Sequence, residues 1–466
     1  MVLITLLASD TLRVTLDDCF RISAEGSPQA VSAALDSVMA AGQWRSVAGQ
    51  SLPQFRFSGQ LPSLSEATNY QIVYDPASGM QDYRRVGSGE ETWQGQLNLN
   101  QALPWGATAS LSTRLYKTRW HDDRLRSGRD TLEYSFVRRA QLDQPILAGN
   151  PVGRQRAVGR LNWESSLAAY EIARRGIRYN ITQAFFELVS ASGALAIAQQ
   201  DLDQGRASEE LSSRKLKAGM IPEVELLQIQ VDLARREGSY RSSLSNLETA
   251  RDRLRNQLGI PLDQPIEPVW EPGAATPVMP AGVDTAGETL DLKRQRLNLS
   301  RVELENRASR WQERVQATLQ LYYEEDVRRR LTQDLDERGD RNRGVTVSLD
   351  LPLFGFGTTS GKVQELKARL RQARVEYTQS KAESAAELRQ AVRQVELALD
   401  RIKIADAALE LSQRSYEITT GRFDSGLVDA RELLDAQISL TRTRTEALNA
   451  RIDFELATAN LERIAP

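Results

Sequence analysis

The sequence predicts an α+β fold in which very long helices pack as coiled coils and adjoin a region of amphipathic β-strands. Three observations predict it: apolar heptad repeats, an internal duplication at one constant offset, and segments in which apolar and polar residues alternate. Aromatic residues make up only 6% of the 466 residues and charged residues 26%, a composition that favours long helices over a compact core.

The final helix shows the heptads most clearly. Apolar side chains recur there every seven residues, at Leu433, Leu440, Ala447, Phe454 and Leu461. Sustained heptads are typical of long helices packed in coiled-coil fashion. The opposite helix faces carry dense charge, and we expect the charges at Arg235, Arg236, Glu237 and Arg241 to lie on a solvated surface.

The duplication is visible in two helical segments. Lys215–Leu233 and Arg422–Leu440 align at an offset of 207 residues (422 − 215) with six identities, among them Gly219 with Gly426 and Glu225 with Glu432. The same offset aligns two Pro-containing strand ends, LDQPIL and LDLPLF. Two structural repeats of the same design are therefore expected.

The repeats set the expected organisation of the chain. Residues 1–10 form either a residual signal segment or a strand, 11–258 the first repeat, 259–284 a connector rich in Pro and Gly, and 285–466 the second repeat. Each repeat should run helix, strand, strand and two long helices, and the first should carry an additional hairpin. The expected strands are 54–61, 131–143, 314–323 and 344–351, the extra hairpin is 92–117, and the expected long helices are 154–217, 222–257, 361–421 and 429–464. The charged stretch Glu324–Arg343 should be an external loop.

The composition also excludes several classes of function. The formal net charge is −2 and no basic domain stands out, which argues against a nucleic-acid partner. A single cysteine, Cys19, rules out an intramolecular disulfide framework and a cysteine metal site, and a single histidine, His121, leaves little basis for a His-containing catalytic triad. No lipoprotein motif surrounds Cys19. We therefore expect no enzyme activity, no cofactor and no metal ion.

The strands and helices together indicate a membrane protein without spanning helices. The sequence has no uninterrupted apolar run of eighteen residues, so no transmembrane helix is expected. Four strands are too few to close a barrel, because about eight are needed, and an open sheet would expose its edges. Three chains that share their strands would supply twelve, enough for a transmembrane β-barrel shared by a trimer, from which the long helices project as a bundle. The alternative is a soluble or peripheral coiled-coil scaffold protein without channel activity.

Specific motifs add a family resemblance. The pattern G-x-x-x-x-x-E-L-L-x-x-Q-x-x-L occurs twice, from Gly219 and from Gly426, together with LPQFRFSG after the first helix and with QPIL and LPLFGFG where strands pass into helices. With these motifs the chain resembles the TolC-like outer membrane efflux proteins over nearly its whole length. The resemblance implies a trimer with a twelve-stranded barrel in the outer membrane of a Gram-negative bacterium and a long coiled-coil-like α-helical barrel in the periplasm.

The resemblance also implies a function and partners. Such proteins are exit ducts of tripartite efflux pumps or type I secretion systems, and they conduct substrates passively from the periplasm to the exterior. Their partners are a periplasmic adaptor (membrane fusion) protein, an inner membrane transporter of RND or ABC type, and outer membrane lipid.

Two sets of site residues follow from the resemblance. The helical hairpin tips, where the family contacts its adaptor, correspond to Ala218, Gly219, Met220, Ser425, Gly426 and Leu427. The acidic residues of the family's periplasmic pore gate correspond to Glu432 and Asp435, with Glu225 as a third acidic residue. A C-terminal helix cap at each glycine and ordinary helix-dipole compensation by the carboxylates are the alternatives. The tyrosine and arginine of the family's gate latch correspond here to Phe423 and Val428, so that latch is not expected to form.

Overall fold

The structure, a computed structural model, describes residues 11–75, 79–122, 131–147, 150–270, 287–312, 316–330, 339–351, 357–425 and 427–466. The chain divides into two compact units. The helical unit contains Met1–Met39, Ser165–Arg296 and Glu376–Pro466, and the β unit contains Ala40–Glu164 and Leu297–Val375. Each unit draws on both sequence repeats. The expected signal segment, residues 1–10, lies outside the described residues.

Long helices dominate the chain. The helices are α1 Leu16–Gly26, α2 Pro28–Gly49, α3 Pro151–Lys217, α4 Glu223–Leu258, α5 Leu290–Gln312, α6 Thr358–Asp424 and α7 Ala430–Ile464. The strands are β1 Leu12–Val14, β2 Gln54–Asp75, β3 Met80–Ala102, β4 Thr108–Asp122, β5 Thr131–Pro145, β6 Ile266–Pro268, β7 Gln316–Arg330 and β8 Asp340–Asp350. Helices α3 and α6 contain 67 residues each, and each occupies the same place in its repeat.

The heptad positions form the core of the helical unit. One cluster joins Phe185 and Phe186 of α3 to Leu254 and Leu258 of α4 and to Ile452 of α7. A second cluster packs α6 against α7 through Leu388, Val395, Phe454, Leu461 and their neighbours. Burial of these apolar side chains holds the helices of each cluster together.

Helix α3 qualifies the expectation about membrane-crossing helices. It contains an 18-residue window with a mean hydropathy of 1.4, of which 39% is buried within the structure. Its apolar residues Ile181, Phe185, Phe186 and Leu188 are part of the core of the helical unit. Part of this helix therefore packs in the core of the helical unit.

The connector between the repeats is partly ordered as a strand. Within 259–270, β6 pairs in parallel with β1, with Leu12 opposite Ile266. The rest of the connector, residues 271–284, lies outside the described residues. Next to β1, the α1 residue Cys19 is fully buried, and burial together with the Asp18 charge raises the pKa of its thiol to about 12.

The β unit contains one antiparallel sheet with the strand order β2-β3-β4-β5-β7-β8. The four expected strands and the extra hairpin therefore share one sheet of six strands. The extra hairpin 92–117 is wider than expected, since β3 begins at Met80 and β4 ends at Asp122, and it lies in the middle of the sheet between β2 and β5. The strand expected at 54–61 continues to Asp75 after a register shift between Gln60 and Ser63.

Both ends of the charged stretch Glu324–Arg343 are strands, where the sequence predicted an external loop. Residues 324–330 belong to β7 and 340–343 to β8, while 331–338 lie outside the described residues. Neighbouring strands supply partners for these charges: Glu324 lies 3.6 Å from Arg139, and Asp326 accepts a hydrogen bond from Ser135 at 2.9 Å. Cross-strand pairs of this kind stabilise a charged strand.

Candidate functional site: helix tips, acidic residues and sheet faces

The tip of the first helical hairpin is a glycine-terminated helix end. Gly219 has a φ of +71°, its amide donates to the Leu216 carbonyl, and the Met220 amide donates to the Lys215 carbonyl, both at 2.9 Å. This pair of bonds is a Schellman motif, which needs the left-handed conformation that glycine adopts without strain. Ala218 is exposed, and the Met220 side chain is 73% exposed.

The tip of the second hairpin repeats part of this geometry at the offset of 207. The Leu427 amide donates to the Arg422 carbonyl at 2.9 Å, as Met220 does to Lys215. Ser425 is exposed and its hydroxyl donates to the Gly421 carbonyl, whereas Gly426 lies outside the described residues. Leu427 is 70% exposed. Equivalent apolar side chains therefore reach solvent at both tips.

The three expected gate carboxylates lie at the starts of α4 and α7. Glu432 and Asp435 are exposed and Glu225 is half-buried. Asp429 caps α7 by accepting a hydrogen bond from the Glu432 amide at 2.9 Å, while the Glu432 carboxylate lies 3.9 Å from the Arg422 guanidinium. Both side chains of that ion pair are about half exposed, so it contributes little to stability.

A lysine joins the two hairpins beside these carboxylates. Lys215 of α3 donates to the backbone carbonyl of Phe423 in α6 at 2.5 Å, and its ammonium lies 3.9 Å from the centroid of the Phe423 ring. Phe423 is 1% exposed and packs with Ile229 and Leu433. A cation–π contact on a buried ring thus connects the hairpins at the position where the family's latch tyrosine was aligned. In the sequence, Lys215 and Arg422 occupy equivalent positions of the two repeats.

A buried arginine organises the helices further from the tips, and this corrects the expected exposure of Arg236. The Arg236 side chain is 5% exposed. It donates to Asp201 of α3 at 2.6 Å, to Asp232 of α4 at 2.5 Å and to Gln437 of α7 at 2.8 Å. Gln437 in turn donates to Ser208 of α3 at 3.1 Å. One guanidinium therefore connects three helices through charge-assisted hydrogen bonds.

The six-stranded sheet presents two faces of opposite character. Because side chains alternate along a strand, the register places one set of apolar residues on one side, which we call the apolar face. Its members are Phe55, Phe57, Leu97, Leu99, Leu111, Leu115, Phe136, Leu142, Leu319, Leu321, Tyr323, Val345, Val347 and Leu349. The opposite side, the polar face, carries Arg56, Ser58, Gln96, Asn98, Asn100, Ser110, Ser112, Arg139, Gln141, Thr318, Gln320, Thr346 and Ser348.

The apolar face is exposed to a degree that folded proteins avoid in water. Phe55 is 72% exposed, Phe57 74%, Val345 70% and Leu349 64%. Contiguous apolar surface on this scale marks a membrane or protein contact. A sheet that is apolar on one side and polar on the other has the pattern of a transmembrane β-barrel wall.

Amphipathic aromatic residues lie at one border of the apolar face. Trp93 faces Lys117, which faces Tyr134, on adjacent strands, and the Trp93 indole donates to Glu91 at 2.8 Å. Aromatic residues next to charges are typical of a membrane–water interface. Tyr116 instead lies on the polar face, where Arg114 donates to its hydroxyl.

Among the described residues, no group of three or more His, Cys, Asp and Glu side chains is arranged to hold a metal ion.

Comparisons with known proteins agree with this architecture. Residues 289–465 match the family model described as Outer membrane efflux protein, whereas no curated protein matches the chain. The solved structure of CusC is 17% identical, with a TM-score of 0.68, and the match covers 99% of this chain and 95% of CusC. VceC from Vibrio cholerae is 16% identical, with a TM-score of 0.68 and coverage of 96% and 95%. The CmeC channel of Campylobacter jejuni is 16% identical, with a TM-score of 0.67 and coverage of 96% and 85%. At these identities the likeness shows a shared fold.

Proposed function

Residues 289–465 of this chain belong to the outer membrane efflux protein family, and from that premise we propose that the chain is an outer membrane exit duct of an efflux or type I secretion system. It conducts substrates passively from the periplasm to the exterior. The protein is located in the outer membrane of a Gram-negative bacterium, and its helices extend into the periplasm. Passive conduction needs no catalytic group.

The division of the sheet into an apolar and a polar face carries this proposal. Lipid accepts spanning strands only in a closed barrel, because every backbone amide and carbonyl needs a partner. The apolar face then contacts hydrocarbon and the polar face lines a water-filled lumen. A soluble coiled-coil scaffold would gain nothing from exposing Phe55, Phe57 and Val345 to water, so the observation favours the duct.

The working assembly is a homotrimer with partners in the periplasm and inner membrane. An adaptor protein contacts the hairpin tips, which are Ala218, Gly219 and Met220 of one hairpin and Ser425, Gly426 and Leu427 of the other. The exposure of Met220 and Leu427 supports this assignment. An inner membrane transporter of RND or ABC type delivers the substrate.

The gate residues are Glu432, Asp435 and Glu225. Three copies of Glu432 and Asp435 would put six carboxylates around a narrow periplasmic entrance, which would attract cations and oppose anions. Their exposure at the start of α7 supports a solvent-facing role. The Arg422–Glu432 ion pair connects this acidic entrance to the end of α6.

Reconstitution into liposomes tests the proposal. The purified protein should fractionate with outer membranes, require detergent for solubility and release a small entrapped solute from proteoliposomes. Release should not need a nucleotide or an ion gradient. Solubility without detergent, or proteoliposomes as tight as protein-free liposomes, would favour the scaffold function instead.

A further inference from the structure

The hairpin of β3 and β4 is an integral part of the sheet. Strand β2 pairs with β3 from Gln54 to Asp75, and β4 pairs with β5 from Thr108 to Trp120. Among the described strands, β2 and β5 are separated by this hairpin and do not pair with each other. A hairpin lying beside the wall as a flap would leave β2 and β5 to pair directly.

We infer that each chain contributes six strands to the membrane wall, so that three copies close a barrel of eighteen strands. This inference rests on the proposed function, which supplies the bilayer and the three copies. The contact between copies joins the β8 edge of one chain to the β2 edge of the next.

The two faces continue through the hairpin without interruption. On β3 and β4, Leu97, Leu99, Leu111 and Leu115 share the apolar face with Tyr323 of β7. The alternate residues of both strands are polar. Leu97, Leu111 and Leu115 are 47–52% exposed, so these strands offer the same surface to lipid as their neighbours. A flap with both faces in water would not need one apolar and one polar face.

The border of the apolar face crosses the sheet obliquely. A row perpendicular to the strands joins Tyr323 of β7 to Leu111 of β4 and to Leu99 of β3. On β8 the apolar residues end at Val345, two residues short of that row. On β4 and β3 they continue past the row, to Leu115 and Trp93. Strands tilted by about 35–45°, as in membrane barrels, turn a level hydrocarbon belt into such an oblique border. The shift includes β3 and β4.

Three charged side chains on the apolar face near this border form ion pairs with one another. Glu325 of β7 lies 3.6 Å from Arg138 of β5 and 3.3 Å from Arg341 of β8. On β7, Glu325 lies between Tyr323 and Val327 along this face, and on β8, Arg341 lies beyond Val345. Paired charges at the edge of the belt are compatible with a membrane wall, because the cost of a charge falls towards the interface.

The two outer strands are suited to join another copy. All the described side chains of β2 are exposed, as are those of β8 except one. A free strand edge with apolar residues on one face invites pairing. With an even number of strands per chain, β8 runs antiparallel to β2 of the next copy, and this head-to-tail contact closes into a ring.

The strand number sets the width of the exit. With a strand spacing of about 4.8 Å and a tilt of about 40°, eighteen strands give a backbone diameter of about 36 Å, against about 24 Å for twelve. The lumen therefore falls in the size range of porins, which leave an open aqueous channel.

Cysteine labelling tests whether β4 lies in the wall. In a Cys19→Ala background, single cysteines are placed at Ser110 and Leu111 of β4 and, as the matched control, at Gln320 and Leu321 of β7. Proteoliposomes are treated with a charged, membrane-impermeant maleimide. We expect the cysteines at 110 and 320 to react at least tenfold faster than those at 111 and 321, because only the polar face meets water.

The outcomes separate the inference from the proposed function. If the labelling rate alternates between neighbouring positions on β7 but not on β4, the eighteen-stranded wall is overturned and the duct remains. If the labelling rate alternates on neither strand, both the eighteen-stranded wall and the duct are overturned. Averaged end-on electron micrographs of the unmodified trimer provide a measurement independent of any variant. A barrel about 1.5 times as wide as a twelve-stranded one supports the inference, and a barrel of twelve-stranded width overturns it.

Discussion

Replacing Arg236 with methionine should destabilise the helical unit more than any single change of an exposed ion pair. The variant keeps most of the side-chain volume but removes the charge that faces Asp201 and Asp232 at 2.6 and 2.5 Å. Both carboxylates are 18% exposed, so they would retain little contact with water. The substitution also leaves the Gln437 amide oxygen without its arginine donor.

The size of the effect follows from burial. Removing one partner of a buried ion pair costs about 3–5 kcal/mol, because the remaining charge stays buried. We expect about 3 kcal/mol here, since the two carboxylates keep some exposure. Adding Asp201→Asn and Asp232→Asn should recover a large part of the loss, because no unpaired charge then remains.

Denaturant unfolding of the detergent-solubilised trimer, followed by far-ultraviolet circular dichroism, measures the difference. Arg414→Met is the matched control, since Arg414 is 71% exposed and lies 3.8 Å from Glu410. An exposed helical pair of this kind contributes about 0.3–0.5 kcal/mol. Equal losses for Arg236→Met and Arg414→Met would show that the buried network does not hold the three helices together.

Three further predictions concern the gate, the tips and pH. Replacing Glu432 and Asp435 together by alanine should weaken the block of channel current by periplasmic multivalent cations roughly tenfold, because closely spaced carboxylates attract cations far more strongly than isolated ones. Trimer assembly should persist. An unchanged block in bilayer recordings would show that neither residue lines the pore. Replacing Met220 and Leu427 by glutamate should lower affinity for the adaptor by roughly tenfold or more, since each exposed apolar side chain contributes about 1–2 kcal/mol when buried in an interface; unchanged co-purification with the adaptor would exclude the tips. Burial, aided by the Glu462 charge, raises the pKa of Glu455, so ionisation destabilises the folded state as the pH rises through that raised pKa. Glu455→Gln should therefore increase the free energy of unfolding at pH 8 and lose this advantage near pH 4. Equal effects at both pH values would contradict the burial argument.

The helices could be predicted from the sequence because their signal is local and repeated. Apolar positions such as Leu440 and Leu461 recur at fixed spacing, and both are buried in the structure. Arg236 was misassigned because a heptad identifies apolar seams but does not show which charged residue finds a buried partner on another helix. Its partner Gln437 aligns with Gln230 in the repeat, but Gln230 is exposed, so the alignment does not identify the buried position.

The sheet was harder to predict because several of its strands do not alternate simply. The register shift between Gln60 and Ser63 exchanges the two faces of β2, so the period of two breaks within one strand. The charged part of β7 resembles a loop in sequence, yet Glu324 and Glu325 pair with arginines of β5. These partners lie far away in the sequence, where a local pattern carries no information about them.

Single-channel recording in planar lipid bilayers tests the central claim most directly. If the chain forms a trimeric outer membrane duct, purified trimers should insert and produce discrete conductance steps of one size without nucleotide, and periplasmic multivalent cations should reduce the current. Bilayers that remain silent at protein concentrations that give well-formed trimers in detergent would contradict the account.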